Sequence, residues 1–264
     1  MKKTFIKLAT VVAATACVFA SCQKQNPDNN GGIKDPDDND NENTELPASL
    51  KGSAYVPVVI DAETAKSIEK KIVADLRTDD YNNFFYVWEN TYVGGEGAGL
   101  NFYEGTGYTS LVVGKVGWSG AGFCHPKEAE VEQDGEKVKV VIPAVKPFVN
   151  NDLKDWYFHL AYKTNDANAT HRIQILWGIE NESTTEYAFA LGGDYNDNGT
   201  ITKVVDPISN DGKVVANVWN EYEIPLSQMG IDFSKELTGN YITVLSGGVE
   251  GTQLNLDAVF FYKK

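Results

Sequence analysis

The sequence predicts an all-β protein, an antiparallel β-sandwich with one short helix near its start. Three observations predict it. Apolar residues alternate with period two in most of the later segments, Gly- and Asn-rich turn signals separate those segments, and only one stretch has helical spacing. No strand–helix–strand rhythm of a parallel sheet is present, and no internal repeat.

The helix lies in "IDAETAKSIEKKI". Asp61 suits the cap, Glu63 the positive N-terminal end, and Lys70 and Lys71 the far end, while Ala65, Ile68 and Ile72 share one face. Four strands then show their parity. "WYFHLAYK" sets Trp156, Phe158, Leu160 and Tyr162 against Tyr157, His159, Ala161 and Lys163. "HRIQILWG" sets Ile173, Ile175 and Trp177 against Arg172 and Gln174, and "TEYAFAL" sets Tyr187, Phe189 and Leu191 against Glu186. "LNLDAVFFY" places Leu254, Leu256, Ala258 and Phe260 inward and Asn255 and Asp257 outward. "NDNG", "SNDG", "LTGN" and "SGGVEGT" supply the turns.

Three segments divide the chain. Residues 1–21 have a basic start (Lys2, Lys3, Lys7) and an apolar run too short to span a membrane, ending in "VFAS" before Cys22. This resembles the lipobox of bacterial lipoproteins, with Phe19 where that pattern prefers Leu. The resemblance implies lipidation of Cys22; the alternative is a plain secretory signal cut nearby. Gln23, rather than Asp, after that cysteine implies an outer-membrane, lipid-anchored and surface-exposed location. In 22–50, thirteen of the 28 positions after Cys22 are Asp, Glu or Asn, a composition expected to form a lipidated acidic disordered tether. Residues 51–264 form the sandwich domain. Of the mature cysteines only Cys124 would be unlipidated, so an intrachain disulfide is not expected.

This domain has 18 Lys and Arg against 30 Asp and Glu, a net charge of −12, which argues against a nucleic-acid partner. Enzyme motifs fail on inspection. "GWSGAG" has Ala121 where the nucleophile elbow needs Gly, and "GGEGAG" has Leu100 where a dinucleotide loop needs its third Gly. Cys124 and His125 are neighbours, so their side chains are expected to point opposite ways. Three scattered histidines form no zinc motif. Paired carboxylates for glycoside cleavage leave no sequence signature, so a surface glycosidase or lyase stays as an alternative.

"WNEYEIPLSQ" at 219–228 with the closing "LNLDAVFFY" resembles the last third of galactose-binding-like jelly-roll carbohydrate-binding modules. With lipobox and tether, the chain resembles the surface glycan-binding lipoproteins of starch-utilisation-type systems. That resemblance implies an oligo- or polysaccharide ligand, binding without catalysis, and association with other outer-membrane uptake proteins. A structural or adhesive protein-binding surface is the second alternative.

Sugar sites stack aromatic rings on apolar C–H faces and flank them with amides and carboxylates. Trp156, Phe158, Trp177, Tyr187 and Phe189 are inward by parity and leave the candidate set. Trp118 in "VGKVGWSGAGF" and Tyr92 and Tyr103 in "ENTYVGGEGAGLNFYEGTGY" sit among glycines. The expectation is an open platform of Trp118 and Tyr92 with Tyr103 nearby, and Asn101 and Glu96 as hydroxyl partners. Core burial of Trp118, in step with Val112 and Val116, is its alternative. No cofactor is required. "DYNDNGTI" offers Asp194, Asn196 and Asn198 at alternate positions before a Gly, the first half of a calcium loop. Val205 stands where the closing glutamate belongs, so a structural calcium competes with a simple hairpin turn.

Overall fold

A computed structural model describes residues 46–264 apart from 80–81, 95–101, 104–106, 116, 151 and 179–184. The calls on Cys22, Glu96 and Asn101, the signal segment and most of the tether therefore lie outside the described residues.

Fifteen strands and one helix follow in order: β1 (Ala54–Val59), α1 (Ala62–Ile68), β2 (Phe84–Val87), β3 (Tyr92–Gly94), β4 (Thr109–Val113), β5 (Trp118–His125), β6 (Glu128–Gln133) and β7 (Glu136–Val141) come first. Then come β8 (Trp156–Lys163), β9 (His171–Trp177), β10 (Thr185–Leu191), β11 (Tyr195–Asp197), β12 (Thr200–Thr202), β13 (Asn220–Pro225), β14 (Gly239–Gly247) and β15 (Gln253–Lys263). One sheet runs β13-β8-β15-β4-β3, with β1 beside the far half of β15; the other runs β10-β9-β14-β5-β2. Every strand pairing in them is antiparallel. The protein is an antiparallel β-sandwich.

The core between the sheets follows the predicted alternation. Phe158, Leu160 and Tyr162 of β8 meet Ile173, Ile175 and Trp177 of β9 in one buried cluster. Trp177 is fully buried beside Phe148, Phe233 and Phe261, and its indole N–H donates to the Lys235 carbonyl at 3.1 Å. This arrangement removes both the apolar ring and its polar edge from water.

A second core lies on the outer face of the six-stranded sheet. Asp61 caps α1 by accepting from the Glu63 and Thr64 N–H groups, at 2.9 and 2.8 Å. Ala65 and Ile68 pack with Leu50, Tyr55, Ala161, Phe260 and Tyr262. That cover buries His159 and Ala161, the residues expected to face outward on β8. Ser49 and Leu50 are buried too, so the folded unit starts a few residues before 51.

β15 departs from the predicted parity. Its register slips between Asp257 and Phe260, where Ala258 takes φ +48°. A β-bulge adds one residue and flips the alternation. Leu254 and Leu256 therefore face the central core together with Val259 and Phe261, while Ala258 and Phe260 face the second core. Asn255 and Asp257 are outward from the central core yet buried by what covers that sheet. Asp257 accepts from the Phe102 and Ala258 N–H groups, at 3.0 and 2.7 Å, and burial pushes its carboxyl above the usual carboxylate range.

Candidate functional site

The six-stranded sheet has its outer face covered; the five-stranded sheet turns a different surface outward. β5 supplies it with an unusual strand. Ala121 and Phe123 point into the core, so Trp118, Gly120, Gly122 and Cys124 point away from it. β2 alternates in the same way: Phe85 and Val87 pack on the core, leaving Phe84, Tyr86 and Trp88 outward. Tyr86 lies across from Gly122, and Val87 across from Ala121.

The two bare glycines let the rings lie on the backbone. A methyl placed on Gly120 would meet the Trp88 ring, with one carbon at 2.7 Å, and the Trp118 ring at 2.9 Å. A methyl on Gly122 would sit 2.6 Å from the Tyr86 hydroxyl. The two indoles thus cover one glycine, and Tyr86 stands edge-on to Trp88 with ring centroids 5.6 Å apart. Trp118 is 41% exposed and Trp88 and Tyr86 are half-buried. Glycine here serves close approach of a ring to a strand.

Thr91 fixes the corner that carries Trp88. β2 ends at Val87 and the chain crosses to β3 in the other sheet, so the β5 backbone at Gly120 loses its strand neighbour. The buried Thr91 hydroxyl replaces it, accepting the Gly120 N–H at 2.9 Å and donating to the Gly120 carbonyl at 3.3 Å. The Thr91 carbonyl accepts the Ser119 hydroxyl at 2.6 Å and the Gly114 N–H at 2.9 Å. A strand-like pairing thus continues through a side chain directly below the rings.

A polar row leads away from the rings across the strands. Tyr86, Gly122, Thr243, Gln174 and Ala188 occupy successive register positions from β2 to β10. The Thr243 hydroxyl donates to the Gln174 amide oxygen at 2.8 Å, and the Gln174 amide donates to Glu186. The next row holds Gly120, Leu245, Arg172 and Ala190. Arg172 reaches Asp197 of the β11–β12 hairpin at 3.8 Å. Five strands at a spacing of ~4.8 Å give this surface a width of roughly 19 Å from β2 to β10. Rings stand at one margin and hydrogen-bonding groups at the other.

The residues predicted for the platform are not brought together. Trp118 is on the open face, which corrects its expected core alternative. Tyr92 points between the sheets and is 3% exposed; its hydroxyl shares a 2.5 Å hydrogen bond with the Ser246 hydroxyl, and burial raises its pKa. It cannot stack on a ligand. Tyr103 is half-buried in the second core, with its hydroxyl 2.9 Å from that of Ser49, on the opposite sheet from Trp118. The missed members are Trp88 and Tyr86. Their signal was the alternation in "FFYVW" together with glycines two apart at 120 and 122.

Other candidates resolve simply. "DYNDNGTI" folds as the β11–β12 hairpin, with Asn198 and Gly199 at φ +49° and +86° in its turn. The Asn196 side-chain oxygen accepts the Gly199 N–H at 3.0 Å, the Asn198 amide donates to Asp197 at 3.0 Å and Asp194 pairs with Lys203 at 3.6 Å, so all three predicted calcium ligands have protein partners. Among the described residues no cluster of His, Cys, Asp and Glu is arranged to hold a metal ion. Ser119 is buried and Cys124 and His125 lie on opposite faces of β5. His125 is held by Asn83 at 3.0 Å and the Pro143 carbonyl at 2.8 Å. His171 is buried with Nδ1 2.5 Å from the Ser246 hydroxyl, and desolvation lowers its pKa to about 3.

No family model and no curated protein matches the chain. Among solved structures it is similar to a family 30 carbohydrate-binding module at 13% identity and a TM-score of 0.41, covering 72% of this chain and 97% of that one. It is also similar to the family 11 module of the cellulosomal cellulase Lic26A-Cel5E of Clostridium thermocellum (9%, 0.34, 70% and 90%). A third is SGBP-B from a complex xyloglucan utilization locus in Bacteroides uniformis (10%, 0.31, 71% and 70%).

Proposed function

We propose that the protein binds a glycan without catalysis on the outer face of its five-stranded sheet. The observation that carries this is the pair of indoles laid over Gly120, one of them 41% exposed, on the same face as the half-buried Gln174 amide and the exposed Glu186 carboxylate. A sugar has the same two-sided chemistry: apolar C–H faces to lie on a ring and hydroxyls to meet amides and carboxylates. Trp118 and Glu186 are exposed towards opposite margins of this face, a separation that suits a stretch of oligo- or polysaccharide. The supporting charge is the domain's acidic balance, which disfavours polyanionic partners.

The same proposal places the domain on a lipid anchor at Cys22, in the outer membrane and facing outward, where it would hand glycan to uptake proteins. The lipobox-like "VFAS" and the acidic segment after it support that part. Its test is cell fractionation: Cys22→Ala should move the chain from membrane to soluble fractions, and persistent membrane association would refute anchoring.

The glycan test is affinity electrophoresis of the full chain in gels holding soluble neutral polysaccharides: hydroxyethyl cellulose, mixed-linkage β-glucan, xyloglucan, mannan and starch. Retardation in at least one gel, abolished by Trp118→Ala, is expected. Equal migration in every gel would reject glycan binding, and an unchanged Trp118→Ala would move the site elsewhere.

A further inference from the structure

The corner between β2 and β3 contains a backbone conformation that its residues are poorly suited to adopt. Glu89 has φ +47° and ψ +30°, Asn90 has φ +56°, and the Thr91 N–H closes the turn on the Trp88 carbonyl at 2.9 Å. Two consecutive left-handed residues in a four-residue turn are the I′ geometry, for which Asn-Gly, Asp-Gly and Gly-Gly are the favoured pairs. Elsewhere the molecule makes such turns both with glycine and, at Asn210 and Asp211, without it. Asp134 and Gly135 turn β6 into β7, and Asn198 and Gly199 turn β11 into β12, each with both φ angles positive. At 89–90 no glycine is present. Glutamate in particular gains nothing locally from a left-handed backbone.

Left-handed side chains differ in use: Asp134 and Asp211 are exposed with no bonding partner among the described residues, whereas Asn210 is used by the fold. It is left-handed too, and its amide bonds the Trp219 carbonyl and the Asn220 side chain at 3.2 and 3.0 Å. Glu89 and Asn90 differ from Asn210. Both are exposed, and among the described residues neither side chain makes a hydrogen bond or ion pair. They project from a turn whose first residue is Trp88 and whose last, Thr91, brackets Gly120 beneath the two indoles. Their backbone is fixed by that bracket, so the carboxylate and the amide emerge at the rim of the ring pair from a rigid corner. Backbone strain concentrated beside exposed rings is the pattern of a ligand-contacting segment.

We propose that Glu89 and Asn90 are the rim of the glycan site that selects the sugar, engaging a pair of adjacent free hydroxyls on a ring seated over Trp88 and Trp118. This rests on the glycan reading of the preceding section. The chemistry fits a vicinal diol. A carboxylate accepts from two neighbouring hydroxyls at once, and an amide adds one donor and one further acceptor. Flat rings alone grip any sugar with an apolar face. Discrimination needs polar groups of fixed position, because a site built to hydrogen-bond hydroxyls rejects the sugar that lacks them.

The test exploits the turn. Glycine takes both left-handed conformations freely, so Glu89→Gly with Asn90→Gly should leave the urea midpoint and tryptophan fluorescence of the full chain unchanged or raise the midpoint. In the polysaccharide gels named above, the dissociation constant of the double variant should rise at least tenfold, and Glu89→Gln should fall between it and the wild type. Wild-type affinity and ranking of polysaccharides in the double variant, with Trp118→Ala still losing retardation, would overturn the rim assignment and leave the platform standing. Loss of affinity together with a lowered urea midpoint would also overturn it, showing that the turn serves only to hold Trp88. If the wild type is retarded by none of the polysaccharides, the platform itself fails and the rim falls with it.

Discussion

Gly120→Ala is the sharpest perturbation of the proposed platform, because the new methyl would enter the space both indoles occupy. Ring carbons lie 2.7 and 2.9 Å from its position, against an ordinary separation of roughly 3.5–4.0 Å. Trp118 must therefore retreat by about 1 Å from the strand, and Trp88, which has a carbon closer still, by more. Gly120 does not hold a left-handed backbone, so alanine adds no conformational penalty there. It should contribute about 0.4–1 kcal/mol through the unfolded state. Overpacking opposes this with about 1–3 kcal/mol, at the low end here because Trp118 borders solvent. Net stability should change by no more than about 1–2 kcal/mol. Binding should suffer more. Two stacking rings displaced at roughly 1 kcal/mol each correspond to a loss of about 30-fold. Gly94→Ala, on β3 of the other sheet with nothing within 4 Å of its methyl, is the control and should bind like wild type. The assay is titration calorimetry with the best-retained polysaccharide, alongside urea unfolding. Unchanged affinity in Gly120→Ala, with indole fluorescence showing that the rings have moved, would refute ring stacking as the basis of binding.

Three further outcomes are expected. Trp177→Ala removes a fully buried indole and should cost about 3–5 kcal/mol of stability by urea unfolding; a loss near that of Trp118→Ala would contradict the assignment of core and surface. His171 has its folded pKa lowered to about 3 from an unfolded value near 6.5, so the unfolded chain binds the extra proton and stability falls as pH drops through that window. The decline between about pH 7 and pH 5 should approach ~2 kcal/mol, and His171→Gln should flatten it; equal slopes would place the acid sensitivity elsewhere. Millimolar calcium should leave the melting temperature where a chelator puts it, because Asp194 and Asn196 already hold Lys203 and the β11–β12 turn; a rise with calcium concentration would establish a bound ion at that loop.

Parity read from the sequence was sound wherever a strand kept one register. The faces of β8 and β9 and the capping of α1 by Asp61 were legible for this reason. β15 was legible only to Asp257, since the bulge at Ala258 is an alanine in a left-handed conformation, which no residue pattern announces. The site was half legible. Glycine neighbours accompany an exposed ring at Trp118 and a buried one at Tyr92, because glycine near a ring serves exposure in one place and tight packing in another. Gly114, beside the strand that Tyr92 pairs with, is small because the Thr91 carbonyl lies against it. Trp88 and Tyr86 were hidden in a run that reads as plain apolar strand. Their partners are glycines more than thirty residues away, so only the pairing of β2 with β5 reveals the match.

The short segment at Ser49 and Leu50 gives the molecule a sidedness. It is buried on the outer face of the six-stranded sheet, under α1, whereas the indoles lie on the outer face of the other sheet. The folded chain thus begins on its back. An attachment made at that end lies on the face opposite the indoles. Moving the attachment to Lys264 would be a different device. β15 runs beneath the same cover as Leu50, pairs with β1 and ends close to where the chain enters. Either end would therefore present the same surface outward, and a fusion at one terminus need not obstruct what the other leaves exposed.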